Sequence, residues 1–204
     1  MIKEVCVGDY RAALRALKHG ANRLELNADL AQGGITPSIG VIQQTTQLAH
    51  QYNVPVIVMV RPRGGNFIYS NDEIEIMRLD AQKIAQVGAD GIAIGILTSH
   101  RQIQTEQLLY VIKDLNIELV FHMAFDEISN QKLALQWLIE HNFQRILTHG
   151  GPLEQPLNIK HLQELIEQAN NQIQILPGGG VTKKNVADII RVLDVNQAHG
   201  TKIV

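Results

Sequence analysis

The chain has 204 residues, 45% of them hydrophobic and 19% charged, which suits one globular domain with a sizeable core. Eighteen basic residues stand against twenty acidic ones, no basic run or stripe occurs, and aromatics make up only 4%, so neither charge nor stacking offers a surface to nucleic acid. The single cysteine, Cys6, excludes an internal disulfide framework and predicts a reducing, cytosolic setting. Met1-Ile2-Lys3-Glu4 lacks the apolar stretch of a signal peptide, and the longest apolar run, residues 54–60, is broken by Pro55 and falls far short of the ~20 residues of a membrane span.

Along the chain, short β-rich runs alternate with longer amphipathic stretches. A strand is predicted at 2–7, then a helix at 9–19, where Ala12, Ala13, Ala16 and Leu17 keep to one side. Strand 23–27 follows, after Gly20, which stands where the first helix ends. Helix 38–51, strand 55–60 and helix 72–87 come next, and Ser70 with Asp72 and Glu73 supplies a cap and acids in the first turn. Gly88 closes that helix as Gly20 closes the first, and Gly88-Ala89-Asp90-Gly91-Ile92 is a near copy of Gly20-Ala21-Asn22-Arg23-Leu24. Strand 91–95, helix 105–114, strand 119–122, helix 131–141, strand 145–148, helix 158–170, strand 173–177, helix 183–193 and strand 197–200 complete the series.

Such spacing, one strand plus one crossover helix per unit, leaves a closed barrel or a doubly wound open sheet. Eight strands close a barrel, and no dinucleotide fingerprint follows the first strand. The expectation is therefore a TIM-type (β/α)₈ barrel formed by residues 1–204, with the eighth helix missing after residue 200. That flank is expected to be bare, to be covered either by a second copy in a homodimer or by further chain.

In such barrels chemistry sits at the C-terminal ends of the strands and in the loops that follow. Glu4 and Cys6 share a face of strand one, and Glu25 and Asn27 share a face of strand two. A carboxylate inside a barrel needs a partner, and Arg61 at the end of strand three is the expected partner of Glu25. His122 and Asp126 form a candidate acid–base pair with Glu25 as a further proton-transfer group. Arg61, Arg63 and the Gly178-Gly179-Gly180 loop, with Glu4, Thr148 and His199 nearby, are candidates to hold a small carboxylated or phosphorylated metabolite. The glycines equally suit a tight turn. His-Glu-x-x-His, Cys-x-x-Cys and Gly-x-Ser-x-Gly are absent, which excludes zincin, zinc-ribbon and serine-hydrolase chemistry. His19, His50, His100, His141 and His161 are expected to face solvent.

Glu4-Val5-Cys6-Val7, Arg23-Leu24-Glu25-Leu26, Gly33-Gly34-Ile35-Thr36-Pro37-Ser38, Arg61-Pro62-Arg63-Gly64-Gly65-Asn66-Phe67, His122-Met123-Ala124-Phe125-Asp126, Arg145-Ile146-Leu147-Thr148 and Pro177-Gly178-Gly179-Gly180-Val181 resemble the CutC family in order and spacing from end to end. The resemblance implies a cytoplasmic barrel of copper homeostasis that binds or carries copper. It also marks departures: many members have a second cysteine where Asn27 stands, arginine where Met123 stands and serine where His149 stands. Cuprous copper, Cu(I), prefers thiolate and thioether. With one thiolate, a copper site would join Cys6 to Met59, Met123 or His122.

Overall fold

Residues 56–60 and 91–97 read as nearly continuous apolar runs because both faces of a parallel sheet are covered. The computed structural model describes residues 1–204: β1 (Ile2–Val7), α1 (Tyr10–Lys18), β2 (Arg23–Leu26), α2 (Ile39–Gln51), β3 (Val56–Met59), α3 (Asn71–Gln86), β4 (Gly91–Ile94), α4 (Thr105–Ile112), β5 (Glu118–Phe121), α5 (Gln131–Glu140), β6 (Arg145–Thr148), α6 (Ile159–Ala169), β7 (Gln174–Pro177), α7 (Val186–Leu193) and β8 (Gln197–Gly200). All strands are parallel, in the hydrogen-bonded order β7-β6-β5-β4-β3-β2-β1-β8. The two strands at the ends of that order meet through side chains, Gln197 Nε2 donating to Gln174 Oε1 at 2.6 Å. The result is a nearly closed (β/α)₈ barrel, as expected from the sequence.

Alternation along each strand divides the core in two. Outward residues such as Leu24, Val58, Ile94, Phe121 and Ile175 join the helices in the larger cluster of 48 buried residues. Inward, Ile57, Met59, Ala93, Val120, Leu147 and Leu176 form a separate plug inside the barrel. Other inward positions carry the buried polar residues Glu4, Arg23, Glu25, Arg145, Gln197 and His199. Arg23, Arg145 and Gln197 stand at the strand starts, away from the mouth, whereas Glu25 and His199 face the mouth and place the site there.

Helix ends follow local chemistry. Asp9 caps α1 by accepting from the Ala12 amide at 2.7 Å, and Ser70 and Glu73 form a reciprocal capping box on α3. Gly20 and Gly88 adopt φ of +85° and +86° just past α1 and α3, where a side chain would be strained. Helix α7 starts three residues later than its periodicity suggests, because Asn185 Oδ1 accepts from the Thr182 amide at 2.7 Å and holds a turn there. Two 3₁₀ turns, Leu30–Gln32 and Met123–Glu127, are too short to leave a period in the sequence, and both lie in loops at the mouth.

No helix follows β8, yet Ala198 on its outer face and Ile203 beyond it are completely buried, and the Lys183 amide donates to the Lys202 carbonyl at 2.8 Å. No helix is long and apolar enough to cross a membrane. The capping box gives a direct check: Ser70→Ala should lower stability by about 1 kcal/mol in urea unfolding with an unchanged slope.

Candidate functional site

Strand register builds the site from the two ends of the chain. Glu4 lies opposite Arg23 on β2 and His199 on β8, and Cys6 lies opposite Glu25. Arg23 Nε donates to Glu4 Oε2, Arg23 Nη2 donates to Gln197 Oε1 at 2.7 Å, and His199 Nδ1 meets Glu4 Oε1 at 2.8 Å. Burial alone would raise the Glu4 carboxyl, but Arg23 and His199 outweigh it and bring it down to about 2. Facing a carboxylate, His199 Nδ1 is the donor, which turns Nε2 toward Glu25 Oε2, 3.8 Å away. Burial opposes a charge on His199, yet Glu25, Cys6 and Glu4 together hold its imidazolium well above the usual histidine range.

Cys6 completes the cluster. Asn27 Nδ2 lies 3.4 Å from Cys6 Sγ and donates to Glu25 Oε2 at 2.9 Å. Burial, then the Glu25 charge, push the Cys6 thiol up. Ligand atoms of Cys6, Glu25 and His199 all lie within 4.8 Å of one another. Glu25 Oε1 and Asn27 Oδ1 are buried with no hydrogen-bond partner. A thiol, an imidazole oriented by a carboxylate, and a free carboxylate oxygen are a donor set for a thiophilic cation.

Across the barrel, the third and fifth strands supply a different wall. Arg61 does not pair with Glu25. Its Nη1 donates to the carbonyls of Gly33 and Gly34, each at 3.2 Å, and its Nη2 to that of Gly65 at 2.5 Å, so it ties the loops after β2 and β3 together. Two residues past the end of β3, its side chain reaches loops that the strand-level reading could not place. His122 does not pair with Asp126 either. Its Nδ1 accepts from the Ala124 amide at 3.2 Å, and burial, with Arg61 nearby, lowers it to about 3. Asp126 instead brackets the end of β6, accepting from Thr148 Oγ1 at 2.5 Å, the His149 amide at 3.0 Å and the Gly150 amide at 3.1 Å. The 3₁₀ turn from Met123 to Glu127 carries Asp126 away from the imidazole.

A cavity of about 380 Å³ opens between these walls at the mouth, and Cys6, Glu25, Arg61, His122 and His199 all line it. Glu4 lies beneath as their support. Arg63 stands outside, tied to Glu73 at 2.6 Å. Thr148, Gly178 and Gly179 are also off the lining. Gly178 donates its amide to the Thr148 carbonyl, and the carbonyls of Gly178 and Gly179 face His149 Nδ1 at 3.1 and 3.2 Å. A Cβ on Gly179 would sit 2.6 Å from that ring nitrogen, so the glycine makes room for His149. A larger groove of about 440 Å³ lies at the opposite end, beside β7 and β8, but gathers no such cluster of donors.

Arg23 and Gln197 were not among the residues expected to matter. Two-residue alternation placed Arg23 on the face of Glu25 and Gln197 on the face of His199, and could have found both.

The fold and the buried Cys–His–carboxylate cluster define a (β/α)₈ barrel with a candidate cation-binding mouth. A sequence model of the CutC family matches residues 1–204, and the chain belongs to that family. It is 46% identical to a CutC family protein of Enterococcus faecalis over the whole of both chains. It is 38% identical to the human copper homeostasis protein cutC homolog over 97% of this chain and 72% of that one. The CutC crystal structure from Streptococcus agalactiae superposes with a TM-score of 0.96 at 42% identity, covering both chains fully. A dihydrodipicolinate synthase from Bacillus anthracis, at 9% identity over 97% of this chain and 68% of that one, shares the fold with a TM-score of 0.69.

These ionisations set the response to pH. Glu4 has its carboxyl lowered from 4.5 to about 2, so its stabilisation is present above 4.5 and lost as pH falls toward 2. His122, lowered from 6.5 to about 3, stabilises the fold as a neutral group above 6.5 and loses that between 6.5 and 3. His199 is raised, so its contribution is full below 6.5 and lost as pH climbs through its folded value. Urea unfolding across pH should show stability rising from about 3 to 6.5. Glu4→Gln should cost about 3 kcal/mol at pH 7, because it strands the buried Arg23.

Proposed function

We propose that this protein binds a cuprous ion at the barrel mouth as a cytoplasmic member of the copper-homeostasis machinery. The observation that carries the reading is the convergence of Cys6, His199 and Glu25 ligand atoms within 4.8 Å in a chain of the CutC family. Copper here is cargo, so the chemistry asked of the protein is capture and release. A single sulfur donor suits Cu(I), and an imidazole whose other nitrogen is held by Glu4 is a pre-oriented second donor. Met59 lines the same cavity and offers a thioether to an ion in transit. The position where relatives often carry a second cysteine holds Asn27, whose amide contacts Cys6 Sγ and Glu25 instead. All of these donors come from one chain, so a homodimer is not needed to complete the site. An acid–base enzyme is the weaker reading, since His122 and Asp126 are committed to different partners.

Binding must displace the proton of the Cys6 thiol and that of the His199 imidazolium, both of which the site holds above their ordinary ranges. Cu(I) affinity should therefore rise with pH, about tenfold per unit for each proton released. The test is competition for Cu(I) against a chromogenic chelator under reducing conditions, with Zn(II) in parallel. Wild type should take one ion per chain, and Cys6→Ser should bind at least about tenfold more weakly. Equal, weak binding by wild type and Cys6→Ser, or retention of Zn(II) with indifference to Cu(I), would remove copper from this site.

A further inference from the structure

The cavity is far larger than one ion requires, and its volume of about 380 Å³ falls in the range of small-molecule sites. The wall across from Cys6 is unfinished in a specific way. Arg61 is a buried guanidinium that takes part in no ion pair; neutral carbonyls hold its two Nη atoms, and its Nε has no partner. Beside it, His122 Nε2 is also buried without a partner. Because Nδ1 accepts the Ala124 amide, the ring proton is on Nε2, so His122 presents a donor. Both groups stand against one aromatic ring: the Arg61 Cζ lies 4.7 Å from the Phe67 centroid, and the His122 ring 5.0 Å from it. On the far wall, Glu25 Oε1 is an acceptor without a donor. Between the walls, Met59, Met123, Leu147 and Leu153 give an apolar lining.

A buried positive charge without a counter-charge, next to a neutral donor, is complementary to two anionic oxygens on one carbon. Phosphate would seek more donors than these two, and the Gly178 amide is committed to the Thr148 carbonyl. Glu127 is at the exposed rim, where water screens it. We propose that this cavity binds a small organic carboxylate, its carboxylate on Arg61 Nε and His122 Nε2, its carbon skeleton against Phe67 and Met123, and a hydroxyl or amine directed to Glu25 Oε1. The ligand shares Glu25 with the copper cluster but needs no metal, so a test on metal-free protein can fail without the copper reading failing.

The experiment uses metal-free wild-type protein under chelator. Lactate, 4-hydroxybutyrate and 4-hydroxybenzoate are compared with their primary amides and with inorganic phosphate, by thermal shift and calorimetry. At least one carboxylate should raise Tm and bind more than about tenfold tighter than its amide. The same ligand should move the side-chain ¹⁵N resonance of His122 Nε2. His122→Phe and Arg61→Lys should each weaken it about tenfold or more. Arg61 also ties two loops together; if Arg61→Lys is not folded by circular dichroism, His122→Phe and the imidazole resonance of wild type decide. No carboxylate raising Tm, amides binding as well as acids, phosphate binding in their place, or a still His122 resonance would each overturn the proposal.

Discussion

The Glu4 carboxylate, buried on the first strand, holds Arg23 of the second strand with one oxygen and His199 of the last with the other. A carboxylate out of water is costly unless charge and hydrogen bonds compensate it, and here both are supplied by neighbouring strands in register. Removing any one of the three leaves the other two buried with an imbalance. The same arrangement makes β1 the keystone of a sheet in which β8 has no other hydrogen-bonded neighbour. It also fixes the orientation of the His199 ring, so that Nε2 is directed to Cys6 and Glu25 instead of to the support below. Structural and functional demands meet in one ion cluster.

The two walls of the mouth are built by different means. On the β8-β1-β2 side, side chains project from regular strands, and their spacing follows the pleat. On the β3-β5 side, geometry comes from loops: Arg61 is caged by three glycine carbonyls, and Gly95 lets the His122 ring approach, since a Cβ there would sit 2.5 Å from the imidazole. A rigid donor cluster on strands and a wall shaped by glycine-bearing loops thus face each other across one cavity.

That difference also explains what was legible in the sequence. Strand alternation placed Glu4 with Cys6, and three- and four-residue spacing gave the helices their faces, because these depend on periods of two and 3.6. Pairs that depend on side-chain reach failed: Glu25 with Arg61 and His122 with Asp126 sat at suitable strand ends, but carbonyl oxygens, amides and a 3₁₀ turn claimed them first. Backbone groups leave no identity in the sequence, so competition from them is invisible there.

The contact between Glu4 and His199 spans 195 residues of chain. Contacts of such long range carry the largest loop-closure cost and form late, after local strand–helix units are in place. During synthesis, the first strand therefore waits with a charged carboxylate and a thiol on its inner face until the last strand arrives. Only then does Cys6 meet its imidazole. The completed donor cluster is thus a marker of a finished barrel, and an unfinished chain cannot assemble the three-donor cluster.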